Sequence, residues 1–290
     1  MIGGVSIGCI YALVALGFVL IYKATEVVNF AQGELMMLGA FLAYTFIFIL
    51  GWNYWIGAAA AIVCMFFAGN LVDRVFLRPV LGQPQFSIIM VTIGFGYMAR
   101  SGATMVPGWG AETYAISTPF SSEGIQLVPE SMGSLVISET DISVIVATII
   151  LCIVLYAFFT HTRLGVAMQA SSQNQLAAYY MGIPVKSVFS MIWGISAAVA
   201  AAAGILLAPT TLIDANMGFI GLKAFPAAVL GGFGSIPGAV VGGLIIGIIE
   251  TLAGFYLPPG FKNVAAYVVL LIVLVVRPQG LFGQKTGKRV

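Results

Sequence analysis

Charged side chains are scarce in this sequence: 8% of its 290 residues are Asp, Glu, Lys or Arg, against 60% hydrophobic. A water-soluble domain carries about a quarter charged residues, so a water-facing surface is excluded over most of the chain. The mean hydropathy of +1.06 carries the same exclusion. One histidine and three widely spaced cysteines, Cys9, Cys64 and Cys152, provide no C-x-x-C pair and no Cys/His cluster for a metal site. The thiols are read as small core residues. A net charge of +2 gives no sign of nucleic acid.

Catalytic and nucleotide-binding patterns are equally thin. His161 sits in a basic segment two residues before Arg163, with no neighbouring carboxylate to orient it as a base. It reads as an interfacial residue. Gly94 and Gly96 match part of a dinucleotide fingerprint but lie inside an apolar run without a strand-turn-helix frame. The GQKT run at 283–286 lacks the spacing of a phosphate loop. An enzyme is not expected, and no cofactor is expected on this chain.

What is present is a series of apolar runs, each approaching the roughly 20 helical residues that cross a bilayer core of about 30 Å. They predict an all-α integral membrane protein, a polytopic bundle of eight or nine spans forming one domain over 1–290. The runs fall at 1–22, 34–50, 54–72, 86–99, 142–159, 188–208, 222–231, 239–256 and 264–276. The first lacks a basic leader and a cleavage site, so it reads as a retained span. The 222–231 run is too short to cross alone and reads as a half-helix or re-entrant piece.

Short basic loops stay on the cytoplasmic side. Lys23, Arg74, Arg78, Arg163, Lys186, Arg277, Lys285, Lys288 and Arg289 then mark the cytosol, with Arg100, Lys223 and Lys262 on the outer side. The N-terminus is outside and the C-terminus inside. Residues 101–141 carry Glu112, Glu123, Glu130, Glu139 and Asp141 without a Lys or Arg, and form an external loop with local structure. A breaker loop at 23–33 follows the first span, and one at 209–221 follows the sixth. Inverted repeats over about 1–100 and 187–277 are therefore expected, with broken helices lining a solute route.

Asn29, Gln32 and Glu34 open one broken helix; they either face a solute or cap and open the helix. Gly232, Gly234 and Pro237 break the chain in the second half, and that break is a further candidate route. Gly238, Gly242, Gly243 and Gly247 are spaced for close helix packing. Glu250, an acid inside a late span, is either a substrate contact or a packing or cavity residue with Tyr256 or Lys262. Span centres carry almost no acids, so ion coupling has little to work with. Energy comes from a partner, or transport is passive.

The polar island 160–186, THTRLGVAMQASSQNQLAAYYMGIPVK, is the place for that partner. A short helix over 169–180, ended by Gly182 and Pro184, is expected to lie across the membrane face. An ordinary loop between spans is the plainer reading.

Three groups of residues carry a resemblance: YALVALG at 11–17 with VVNFAQGE at 27–34; RLG at 163–165 through GI at 182–183; and KAF at 223–225 with VLGGFGSIPGA at 229–239. Together they resemble the permease subunits of ATP-binding-cassette importers for branched-chain amino acids. The resemblance implies a bacterial inner-membrane importer with a second related permease, two cytosolic subunits that bind the ATP, an external substrate-binding protein, and lipid around the spans. It implies that Gln173, Ala177, Ala178, Gly182 and Ile183, with Arg163 and Gly165 before them, contact the ATPase. After Met168 the family usually carries a basic residue and an acidic cluster; this chain has Gln169 and the uncharged run SSQNQ at 171–175. Its start also lacks the few residues that usually precede the first span. Competing readings are a permease for urea or short amides, a passive solute channel, and a membrane scaffold without transport.

Overall fold

The computed structural model describes residues 2–80, 83–110, 112–120, 124–126 and 136–283. Lys285, Lys288 and Arg289, the 284–286 part of the GQKT run, and Glu123 and Glu130 of the external loop lie outside the described residues. Helices dominate: α1 (Ile2–Thr25), α2 (Gln32–Tyr44), α3 (Tyr54–Val72), α4 (Gln85–Met105), α5 (Glu139–His161), α6 (Arg163–Gln173), α7 (Gln175–Tyr180), α8 (Val185–Thr211), α9 (Gly218–Gly231), α10 (Ile236–Tyr256) and α11 (Phe261–Val276). π-helical turns at Thr45–Ile49 and Asp73–Leu77 prolong α2 and α3.

Six of these are long and apolar enough to cross a membrane: α1, α2 with its extension, α3 with its extension, α5, α8 and α10. Shorter apolar helices are α9 and α11. The ninth, α4, has 21 residues but carries Thr92, Arg100, Ser101 and Thr104. Every expected span has its helix, and the 222–231 piece is the half-helix α9, which begins four residues earlier.

Packing is reciprocal between the two halves. The seam of α1 with α10 is the largest in the bundle, followed by that of α8 with α3. So the first helix of each half packs on the third helix of the other. Glycine makes the α1–α10 seam close, because a side chain on Gly247 would strike Gly8 and one on Gly243 would strike Ala12. The four-residue glycine spacing is thus a packing device. Cys9 is buried in this core, whereas Cys64 is exposed on α3 and Cys152 half-buried on α5; Cys64 is not a core residue, since the α3 face it occupies has no neighbouring helix.

The breaks after α1 and α8 are built alike. Each helix ends at a threonine, Thr25 or Thr211, followed by a non-glycine residue at positive φ, Glu26 at 56° or Leu212 at 62°; the described residues hold no other such pair. An Asx turn follows in each, Asn29 Oδ1 accepting from Ala31 N at 3.0 Å and Asp214 Oδ1 from Asn216 N at 3.1 Å. The next helix then starts at Gln32 or Gly218. Left-handed backbone at bulky residues is uncommon, and it occurs at both breaks.

The loop expected over 101–141 is shorter, because α4 runs on to Met105 and α5 begins at Glu139. Its local structure is an antiparallel pair of strands, β1 (Gly124–Gln126) and β2 (Val136–Ser138). It is tied down where Trp109 Nε1 donates to Thr45 Oγ1 at 2.7 Å and where Tyr114 and Ile213 exchange backbone hydrogen bonds.

Candidate functional site

The first turns of α2 and α9 meet: a side chain on Gly33 would strike Gly218 and Gly221. From there α2 follows α8 toward its C-terminal end, past Ser196 and then Gly204. In contrast, α9 follows α1 toward its C-terminal end, through Phe225 on Phe18 and Phe233 on Tyr22. Since α1 and α8 pack antiparallel, two half-helices leave one point in opposite directions. Gly17 lies 15 residues into α1, about 22 Å along it at 1.5 Å per residue. This places the junction inside the span of the bundle, with two helix N-termini and their partial positive charge beside it.

Asn29 and Gln32 are wholly buried there. Asn29 Nδ2 donates to Gln32 Oε1 at 3.2 Å, Gln32 Nε2 donates to the Ser196 carbonyl at 3.3 Å, and Ser196 Oγ lies 3.0 Å from both Gln32 Oε1 and the Gly17 carbonyl. These amides join α1, α2 and α8. Glu34, two residues on, points elsewhere: among the described residues it makes no capping bond, and it accepts from Arg100 Nη2 at 2.6 Å. Arg100 Cζ lies 3.8 Å from the ring centre of Phe219. A cavity of about 210 Å³ opens in front of this pair.

Glu250 forms a second cluster. Its carboxylate accepts from Tyr11 Oη at 2.5 Å and from Lys223 Nζ at 3.1 Å, and Lys223 also donates to Asn263 at 2.8 Å. Its partners are thus Tyr11 and Lys223, rather than Tyr256 or Lys262; Lys262 lies with Glu250 along a cavity of about 350 Å³ without bonding to it. Arg100 and Lys223, expected on the outer side, are both helical and paired. Each lies within a helix, where an acid neutralises it. The charge-count reading missed this because the partners are 66 and 27 residues away in sequence. A second buried acid, Asp73, accepts from Ser190 Oγ at 2.5 Å and from Arg78 Nε at 3.3 Å. Each of these three acids has a cation.

Gly232 and Gly234 lie apart from Glu34 and Glu250. Gly232 has φ of 94° and abuts Gln279 and Gly283, so it closes α9 against the C-terminal segment. Gly234 has open space where a side chain would stand.

The polar island folds as two helices rather than one. Asn174, at φ −156° and ψ 104°, breaks it, and its side chain caps α7 by accepting from Ala177 N at 2.9 Å. Arg163 and Gly165 begin α6, where a side chain on Gly165 would strike Phe158 and Phe159. Gln173 ends α6; Ala177 and Ala178 form the middle of α7; Gly182, at φ 81°, and Ile183 follow its end. Gln175 Nε2 donates to the Ala24 carbonyl at 3.4 Å and Arg78 Nη2 to the Lys186 carbonyl at 3.2 Å. The island therefore shares one end of the bundle with Lys23 and Arg78. Leu176, Tyr179, Tyr180 and Met181 stand out from it, between 67% and 83% exposed.

Helices long and apolar enough to cross a membrane, with two half-helices meeting among them, define a polytopic membrane bundle. The chain belongs to the branched-chain amino acid transport system permease component family, whose pattern matches residues 1–276. It is 33% identical over 300 residues to the high-affinity branched-chain amino acid transport system permease protein LivH of Escherichia coli (strain K12), with 100% of this chain and 96% of that protein covered. It is 31% identical to BraD of Pseudomonas aeruginosa, with 100% and 97% covered. In fold it is similar to PsaBC from Streptococcus pneumoniae, solved with a Fab, at a TM-score of 0.52 and 12% identity, with 97% of this chain and 92% of that one covered. The chain is thus a multi-pass transport permease and one component of a larger system.

Proposed function

We propose that this chain is a membrane subunit of an ATP-driven importer in the cytoplasmic membrane, moving branched-chain amino acids inward by alternating access. Full-length similarity to permeases of that transport class is the observation that carries the reading. In this reading the chain pairs with a second, related permease, two cytosolic ATPase subunits hold and hydrolyse ATP, and an external binding protein delivers the amino acid. The N-terminus faces out and the island faces the cytosol.

Contact with the ATPase runs through residues 173–183. The exposed Leu176, Tyr179, Tyr180 and Met181 support an apolar contact, which suits an island whose SSQNQ run carries no charge. Amphipathic helix-in-groove docking needs only such anchors. Inverted duplication is supported by the matched breaks at Glu26 and Leu212 and the reciprocal helix seams. Reversing the two halves about the Gly33–Gly218 junction would expose the route to each side in turn.

Proteoliposomes holding the chain with its permease partner, ATPases and binding protein should accumulate labelled leucine only with ATP. Leucine flux through this chain alone at the full rate would refute the importer reading and favour a channel.

A further inference from the structure

The Glu34–Arg100 pair is less completely bonded than the other internal ion pairs. Among the described residues, Glu34 Oε1 takes the single hydrogen bond from Arg100, Glu34 Oε2 receives none, and Arg100 Nε is buried without an acceptor. In front of it, the 210 Å³ cavity is walled by Phe30, Tyr97, Phe219 and Leu222. Gly96 and Gly218 flank the charges; a side chain at either would press on Glu34, and one at Gly218 on Arg100 as well.

Depth decides what fills this cavity. Gly33 packs on Gly218, and Gly218 in turn flanks the Glu34–Arg100 pair, so the cavity lies at the junction of the two half-helices, inside the span of the bundle. Tyr97 is 64% exposed beside it, so the cavity opens on the outer surface of the chain. Charges that face hydrocarbon at that depth are expensive and are found facing bundle interiors or water-filled cavities. This opening therefore faces water or protein rather than lipid.

We propose that the cavity is a subsite for the amino-acid zwitterion itself. The substrate carboxylate takes the Arg100 donors that Glu34 leaves free, the ammonium takes Glu34 Oε2, and an aliphatic side chain lies on Phe219, Phe30 and Leu222. With the site empty, Glu34 and Arg100 neutralise each other, so neither charge stands bare inside the span. A ligand with one of each charge exchanges into the pair without a net change. A urea or an amide offers no such match. The inference rests on the importer reading and adds the chemical feature recognised.

The test uses the assembled transporter in proteoliposomes, in a background with Cys9, Cys64 and Cys152 replaced by alanine. Tyr97→Cys and Phe219→Cys are each treated with a charged, membrane-impermeant methanethiosulfonate during ATP turnover. Both positions should be labelled, and L-leucine should slow labelling at least fivefold, whereas 4-methylpentanoate and 3-methylbutylamine should not. Arg100→Gln should abolish the leucine protection, and Ser190→Ala should keep it. Absence of labelling at both positions, or labelling indifferent to leucine, overturns the subsite; either position suffices if the other variant fails to assemble. Failure of the unmodified transporter to take up leucine with ATP would instead refute the importer reading.

Discussion

Glu34 and Glu250 are both acids inside the bundle with a basic partner, yet the chain holds them differently. Glu250 is 2% exposed, with one oxygen on Tyr11, the other on Lys223, and Asn263 holding Lys223 in turn. Glu34 and Arg100 are 12% and 15% exposed, share one hydrogen bond and face a cavity. A saturated cluster resists rearrangement, because breaking one bond strands a buried charge. An unsaturated one can trade partners at small cost. The first is a latch of α10 on α1; the second is suited to contact with a moving ligand.

The comparison can be broken at the latch first. Glu250→Ala leaves Lys223 without its carboxylate and should cost about 3–5 kcal/mol, read as early loss of helicity in thermal unfolding of the purified protein. Gly247→Val tests the seam that carries the latch: its side chain would overlap Gly8, and overpacking of this kind should cost about 1–3 kcal/mol. Tyr11→Phe removes only the hydroxyl and should cost about 1–2 kcal/mol. Glu34→Gln keeps an acceptor for Arg100 but leaves its charge unneutralised, and should cost about 1–2 kcal/mol, no more than Tyr11→Phe.

Much of the fold was legible because membrane spans announce themselves by length and hydropathy. The run at 54–72 coincides with α3 to the residue, and the breaker loops marked both half-helices. The ends of helices were less legible: α4 continues six residues past Ala99, since Arg100, Ser101 and Thr104 lowered its hydropathy while its backbone bonding went on. Asn174 looked like one more polar residue in a helical run, and only its extended backbone separates α6 from α7. At the site, Glu34 stood out as an acid opening a helix, but nothing local to it points to Arg100. Tyr11 and Glu250 are 239 residues apart, and no periodicity joins them. Asn29 and Gln32 were legible as polar residues at a break; that they face one another and Ser196, while Glu34 alone turns to the cavity, is set by how α2 crosses α8.

Parallel measurement of stability and ATP-dependent leucine uptake in Tyr11→Phe and Glu34→Gln tests the division of labour most directly. The account predicts that both variants unfold at somewhat lower temperature, but that Tyr11→Phe transports normally per folded transporter whereas Glu34→Gln loses uptake at least tenfold. Uptake lost in folded Tyr11→Phe and kept in folded Glu34→Gln would contradict it.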